Sequence, residues 1–507
     1  MKRSHTIICI VALFIGGLVL RTWARDWGLP YVEHPDEPAL LRVVVRMLRD
    51  NTLNPHTFTY PSLYYYLLAG TTRLYAAWAM AHGQLASLQV LPVHTDLYTS
   101  TPGMYIWGRT LTAVLGALAA PFLAMLAYRM FGQRAAIIGG LLMMTCAYHV
   151  EHSHYVTIDA TTSVMVIILL IGTWRIVEHG DWQAYLLAGA GVGLAAGVKY
   201  NAAAITLVVA IAHLLRWRRM AIGKPLVRLL TAGAVSIIVF LCTTPYALLD
   251  WPRFQSDLQF SAQNYATVDQ GDFIGRWRLD GYLRFVWNQE LFPIGTIITL
   301  LGLPCALRRW PRQMLLLIAT ITIHVFLLLL QMTNFVRNIL PIVPALLLVV
   351  TAAAIALADA ITLAISQIRQ QQLQGNCGNP RINRSAQQIA FQPSIIATII
   401  CAVLLIGAQV HDTIDGLSYW SRPYTLVALA QTLQAQPHGM HAAVEMNPVQ
   451  WQPGELVVDM ADLPLPELAA GTYHIEIGLY NASTGERLPA LTPSGMQDNQ
   501  LTTLHIH

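Results

Sequence analysis

The chain has 507 residues, of which 55% are hydrophobic and 11% charged, against roughly 45–50% and about 25% in ordinary soluble domains. So large a deficit of charge excludes a soluble enzyme. The formal net charge of +4 is small and spread over loops, so it offers no footprint for nucleic acid.

Apolar runs recur at about residues 7–22, 108–128, 135–150, 160–176, 183–198, 200–215, 229–247, 291–307, 313–331, 339–364 and 393–410. Most approach the ~20 residues that cross a hydrocarbon core of ~30 Å. They predict an all-α polytopic membrane protein with about eleven transmembrane helices in residues 1–410. Lys2 and Arg3 precede the first run, but Arg21, Trp23 and Arg25 follow where a signal peptide would carry small residues. That run is therefore a retained span that starts in the cytoplasm.

Ser62 to Ala81 is apolar as well, yet it holds Tyr64, Tyr65, Tyr66 and a central Arg73, a costly residue at mid-bilayer. Keeping it out of the membrane leaves Arg129 and Arg134, Arg175, Arg216 to Arg228, Arg308 to Arg312 and Arg369 to Arg384 all in cytoplasmic loops, as the positive-inside rule requires. Residues 23–107 then form a long first external loop with helices lying at headgroup level, and 248–290, with Trp251, Phe254, Tyr265, Trp277 and Trp287, a second. Residues 369–392 read as a polar cytoplasmic linker. Residues 411–507 read as a small external, β-rich extension, since Tyr473, Ile475, Ile477 and Leu479 alternate with His474, Glu476, Gly478 and Tyr480. Leu456 to Val458 is the expected partner strand. The six cysteines show no CxxC or metal spacing.

Four places can carry chemistry. His34-Pro35-Asp36-Glu37-Pro38 follows the first span; its adjacent acids can take a proton or hold a cation, or Asp36 can simply cap the helix that follows. His149, Glu151, His152, His154 and Asp159 cluster at the outer end of the third span. Their spacing does not put them on one helix face, so a HExxH-type zinc site is not supported. Asp159 stands apart, because an ionisable residue opening a span is a functional candidate. Lys199 and Arg337, at outer helix ends, can pair with a lipid phosphate or snorkel to ordinary headgroups; the guanidinium suits bidentate phosphate contact.

These motifs resemble the GT-C superfamily of polyprenyl-phosphate-sugar-dependent glycosyltransferases, in the branch of protein O-mannosyltransferases and aminoarabinose transferases. The likeness runs over residues 1–365, through His34 to Pro38, Tyr60-Pro61-Ser62-Leu63-Tyr64-Tyr65, Gly108-Arg109-Thr110, Tyr128 to Gly132, His154 to Asp159, the glycine-rich run to Lys199-Tyr200, and Arg337 followed by Pro341 and Pro344. Ser62 departs from it, standing where a second proline is common. The resemblance implies transfer of a sugar from a polyprenyl-phosphate donor to a protein, lipid or glycan acceptor at the outer face of the cytoplasmic membrane. It puts the base at Asp36, the second acid at Glu37, and substrate contacts at Asp159, His154, Tyr60, Lys199 and Arg337. No cofactor is implied with certainty; for a divalent metal, Asp36, Glu37 and Asp159 are the candidate ligands. A single displacement would invert the anomeric carbon, because no second carboxylate is set as nucleophile. The rivals are a transporter or flippase, for which no internal repeat is visible, and a glycan polymerase or ligase, which would not require the acid pair.

Overall fold

The computed structural model describes residues 3–420 except 33, 93–98, 218–223 and 377–390, and beyond them only 473–477, 490–491, 497–498 and 502–506. Residues 1–27, 34–95 and 100–422 form one compact unit. It begins with α1 (Arg3–Thr22), α2 (Asp36–Arg49) and α3 (Ser62–Ala81), followed by α4 (Pro102–Ala117), α5 (Ala119–Phe131) and α6 (Gln133–Met144). The short α7 (Ala147–Glu151) leads to α8 (Asp159–Glu178), α9 (Trp182–Val198), α10 (Leu207–Trp217) and α11 (Lys224–Thr243). Then come α12 (Tyr246–Leu249), α13 (Trp251–Thr267), α14 (Leu279–Phe285), α15 (Phe292–Arg309), α16 (Pro311–Leu329), α17 (Val343–Asn376) and α18 (Phe391–Trp420).

Among the described residues, seven helices are long and apolar enough to cross a membrane, and an eighth if α14 and α15, bent by 109° at their junction, make one span. The apolar helices Ile7–Thr22, Gln133–Met144 and Trp182–Val198 are shorter. Each of the apolar runs read from the sequence coincides with one of these. Ser62–Ala81 is a helix but falls in neither group, its tyrosines and Arg73 diluting the apolar content. The last helix runs on to Trp420, past the boundary at 410 expected for the membrane part.

α8 and α17 form the centre of the bundle, with 83% and 94% of their apolar windows buried against 6% for the peripheral α11. Close packing next to α8 follows from glycine spacing. Gly189, Gly193 and Gly197 recur every fourth residue on α9, and a Cβ on them would meet Ala232, Ser236 and Thr243 of α11. Gly172 of α8 and Gly191 of α9 sit likewise against the neighbouring backbone. Such small-residue seams let helices approach without hydrocarbon between them. The α9 seam ends two residues before Lys199, whose depth it thereby sets.

α2 buries the stripe Leu40, Leu41, Val44, Val45 and Met47 and packs on α3, which in turn lies on α4 and α9. At the far end of α6, Arg134 pairs with Asp359 at 3.0 Å and Arg309 joins the same carboxylate, tying α6, α15 and α17.

Residues 28–33, 96–99 and 423–507 group as a second unit. In it Tyr473–Ile477 pairs antiparallel with Thr502–Ile506, and Ala490–Leu491 with Gln497–Asp498. Among the described residues the partner of the 473 strand is the C-terminal segment; Leu456 to Val458, the partner expected from the sequence, lie outside the described residues. Of the expected polar linker, 369–376 continue α17 and 391–392 open α18, while 377–390 lie outside the described residues, as do those of 421–507 beyond these strands.

Candidate active site

The site assembles where the start of α2, residues 152–159, the end of α9 and the turn before α17 meet. Pro35 takes the cap position of α2 and makes no side-chain capping bond. Asp36 is therefore free of the capping role its position suggested. Its carboxylate turns to Arg337, at 3.3 Å from Nη1, and the two side chains are 22% and 20% exposed.

Glu37, next in sequence, has the opposite fate. It is fully buried and receives both arms of the Arg109 guanidinium, Nε to Oε1 at 2.9 Å and Nη2 to Oε2 at 2.8 Å. Oε1 also accepts the Val156 N–H at 2.8 Å. Arg109 spends Nη1 on the carbonyls of Arg25 at 3.0 Å and Trp27 at 2.7 Å. A buried carboxylate held by a bidentate guanidinium is an anchor. It locks α2, α4 and the 152–158 loop together and leaves Asp36 as the accessible acid of the pair.

Lys199 closes α9 in extended backbone. It is 6% exposed, which removes the snorkelling reading. Its ammonium donates to Asp159 Oδ1 at 2.6 Å and to Asn338 Oδ1 at 2.8 Å. Asn338 sits in the 3-10 turn Val336–Ile342, one residue after Arg337. Ser163 of α8 donates to the Leu340 carbonyl and His324 of α16 to the Asn338 carbonyl, each at 2.8 Å. The Asp159–Lys199 pair thus holds the turn that presents Arg337.

His34 lies against Arg337, Nε2 to Nη1 at 3.4 Å, and its Nδ1 faces the Asp36 N–H at 3.3 Å. Its ring stacks at a tilt on Tyr155, 4.7 Å between centroids. Burial keeps His34 below the usual imidazole range, against the pull of Asp36 and Glu37. Burial likewise takes His152 down to about 3. The Tyr60 phenol is held well above its usual range by burial, with the Asp36 carboxylate adding to it. Tyr60 therefore belongs to the Asp36–Arg337 neighbourhood and stays a neutral hydrogen-bonding group.

His154 does not join them. Its ring nitrogens face the carbonyls of Val150 and Trp23, each at 2.8 Å, and burial lowers it to about 4. It ties backbone, because its ring lies between two carbonyls and donates its one N–H to one of them. Nor do Asp36, Glu37 and Asp159 converge as metal ligands: Glu37 is spent on Arg109 and Asp159 on Lys199, and among the described residues no group of three or more His, Cys, Asp or Glu could hold a metal. Sequence reasoning missed Arg109 and Asn338 as partners. Both lie in segments singled out for other reasons, and only the fold reveals what they touch.

A cavity of about 710 Å³ borders the site, walled by Tyr148, Asp272, Phe273, Arg278, Arg284 and Val336 among others. Tyr148 meets the His152 ring edge-on at 4.5 Å, and Val336 precedes Arg337.

Bundle and site together define a multi-pass membrane protein with an accessible acid–guanidinium pair at one end of its helices. A family model for dolichyl-phosphate-mannose-protein mannosyltransferase matches residues 104–246. Among solved structures the chain is similar to ArnT from Cupriavidus metallidurans bound to undecaprenyl phosphate, at 17% identity and a TM-score of 0.53, covering 88% of this chain and 84% of that one. The apo state of the same protein gives 18% identity and a TM-score of 0.54 over 88% and 83%. The S. cerevisiae protein O-mannosyltransferase Pmt1–Pmt2 complex bound to the sugar donor, at 17% identity, covers 51% of this chain and 35% of that one with a TM-score of 0.38, too low to bear on the fold. No curated protein matches the sequence. The chain has the fold of the GT-C superfamily of glycosyltransferases, in which the matched family and these structures fall.

Proposed function

We propose that the protein moves a sugar from a polyprenyl-phosphate donor to an acceptor hydroxyl, at the outer face of the cytoplasmic membrane, with the N-terminus inside and the C-terminus outside. The observation that carries this reading is the Asp36–Arg337 pair, whose 3.3 Å contact is partly open to solvent, while the neighbouring Glu37 and Asp159 are buried in fixed pairs. It joins a base for the acceptor to a cation for the leaving group, the two charges that the reaction needs.

Asp36 takes the proton of the acceptor hydroxyl as its oxygen bonds to the anomeric carbon. The bond from that carbon to the phosphate oxygen breaks, and its electron pair leaves on the polyprenyl phosphate. Arg337 meets the charge that builds there. One in-line displacement inverts the anomeric centre. Before the donor arrives, Arg337 lies against Asp36 and weakens it as a base; a donor phosphate that binds the guanidinium where it stands competes for its charge and frees the carboxylate. Lys199 stands one layer behind, through Asn338, and supports the turn. Tyr60 and His34 flank the pair as neutral groups able to contact sugar or phosphate.

Incubation of the reconstituted protein with labelled polyprenyl-phosphate sugars tests this. Transfer with release of polyprenyl phosphate supports it, and its absence with every donor and acceptor class defeats it. A second reading, a transporter of lipid-linked glycan, draws on the 109° break between α14 and α15, since broken helices line transporter sites. It predicts translocation of intact donor without release of polyprenyl phosphate.

A further inference from the structure

The turn that carries Arg337 is fastened from outside the site. Residues 265–277 run alongside 329–336 as a backbone strap. Asn334 is its hub: its N–H donates to the Gln270 carbonyl and its carbonyl accepts the Asp272 N–H, both at 2.8 Å. Its amide donates to the Gly275 carbonyl at 2.6 Å, and the residue is fully buried. Gly271, at φ +113, lies so close to the Asn334 carbonyl that a Cβ there would collide with it. The Asp272 carboxylate then accepts the Val336 N–H at 2.7 Å, the first free donor of the turn and the residue before Arg337.

We infer that Asp272 and Asn334 are positioning residues that fix the Arg337 guanidinium against Asp36. Phe335 supplies the floor, with the guanidinium carbon 4.5 Å from its ring centroid. The ring lies between Asn334 and Val336 in the chain, so the two strap bonds on either side set where the guanidinium rests. On the opposite side the turn is held by Lys199 through Asn338. Without the strap, the turn keeps its inner anchor and loses its outer one, and Arg337 gains freedom to leave the pair. Held geometry is what makes a side-chain charge effective on a leaving group, and a displacement of about 1 Å can cost ~10²-fold in rate.

The consequence for transfer rests on the reading of Arg337 given above, so the test has one readout independent of it. Phenylglyoxal labelling of Arg337, followed by mass spectrometry, should rise ~3-fold or more in Asp272→Ala and in Asn334→Ala. Arg134, paired with Asp359 elsewhere, is the internal control. Asp272→Asn keeps an acceptor oxygen for the Val336 N–H and should restore the native labelling. In transfer assays Asp272→Ala should lower kcat by ~10-fold or more with donor KM changed less than ~3-fold, and should add almost nothing in an Arg337→Ala background. Unchanged labelling in both alanine variants overturns the strap. So does a rate loss that multiplies with that of Arg337→Ala, because Asp272 would then act by another route. Raised labelling with undiminished transfer leaves the strap standing and removes Arg337 from the chemistry.

Discussion

Asp36→Asn and Glu37→Gln, one residue apart, are expected to fail in opposite ways. At Asp36 the amide keeps the shape and removes the basicity, so loss of a general base should lower turnover by ~10²–10⁴-fold, about 3–5 kcal/mol in activation free energy. The fold should barely notice. Pro35 holds the cap position and no side-chain capping bond is lost. The pair with Arg337 keeps some contact with solvent, about one-fifth exposed on each side, so its loss should cost less than that of the fully buried Glu37–Arg109 pair. Glu37→Gln instead leaves Arg109, 3% exposed, with a neutral amide in place of its carboxylate. Breaking a buried pair on one side costs ~3–5 kcal/mol, a large share of a stability that for single domains totals ~5–15 kcal/mol. Transfer from labelled donor in proteoliposomes and thermal unfolding in detergent read the two effects separately. Transfer by Asp36→Asn at near the wild-type rate, or unfolding of Glu37→Gln at the wild-type temperature, would refute these two roles.

Four more outcomes are expected. Arg337→Ala should lower transfer more than donor binding, because the charge it meets grows toward the transition state, and Arg337→Lys should restore only part of the rate, lacking the planar fork; equal losses in rate and binding would contradict this. Lys199→Ala should destabilise by ~3–5 kcal/mol by leaving Asp159 buried and unpaired, whereas Asp159→Leu with Lys199→Met should recover most of that in the same unfolding assay. Glu151, raised to about 7 by burial and by Asp412, holds a proton in the folded state that the unfolded chain has released; stability from this group is thus full at low pH and lost as pH rises from the usual carboxylate range through about 7. Glu151→Gln should therefore raise the unfolding temperature at pH ~8 and leave it unchanged at pH ~4, and an equal shift at both would refute the assignment. Cysteines at Ala77 and Gln133, in a cysteine-free background, should react with an impermeant thiol reagent from opposite sides of the membrane; labelling from one side would overturn the external placement of Ser62–Ala81.

The sequence by itself determined the helices and the likeness of the chain to the GT-C superfamily. Apolarity over ~20 residues is a local property that the bilayer reads directly, so every apolar run became a helix. The acid at Asp36, following a proline at the end of a loop, and the arginine at the head of a span were visible for the same reason: both stand out against their immediate neighbours. The work each charged group does was decided elsewhere. Glu37 looks like a twin of Asp36 in the sequence, yet its partner lies 72 residues away in α4. Lys199 looks like an interfacial lysine, yet α9 packs so closely on α8 that the side chain ends beside Asp159, 40 residues back. His154 looks like a member of the polar cluster, yet backbone carbonyls claim it. An ion pair is defined by where two charges stop in space, and its strength by how much water remains between them. Neither quantity has a period or a composition, so only the tertiary structure could separate the open pair at Asp36 and Arg337 from the closed ones that hold it in place.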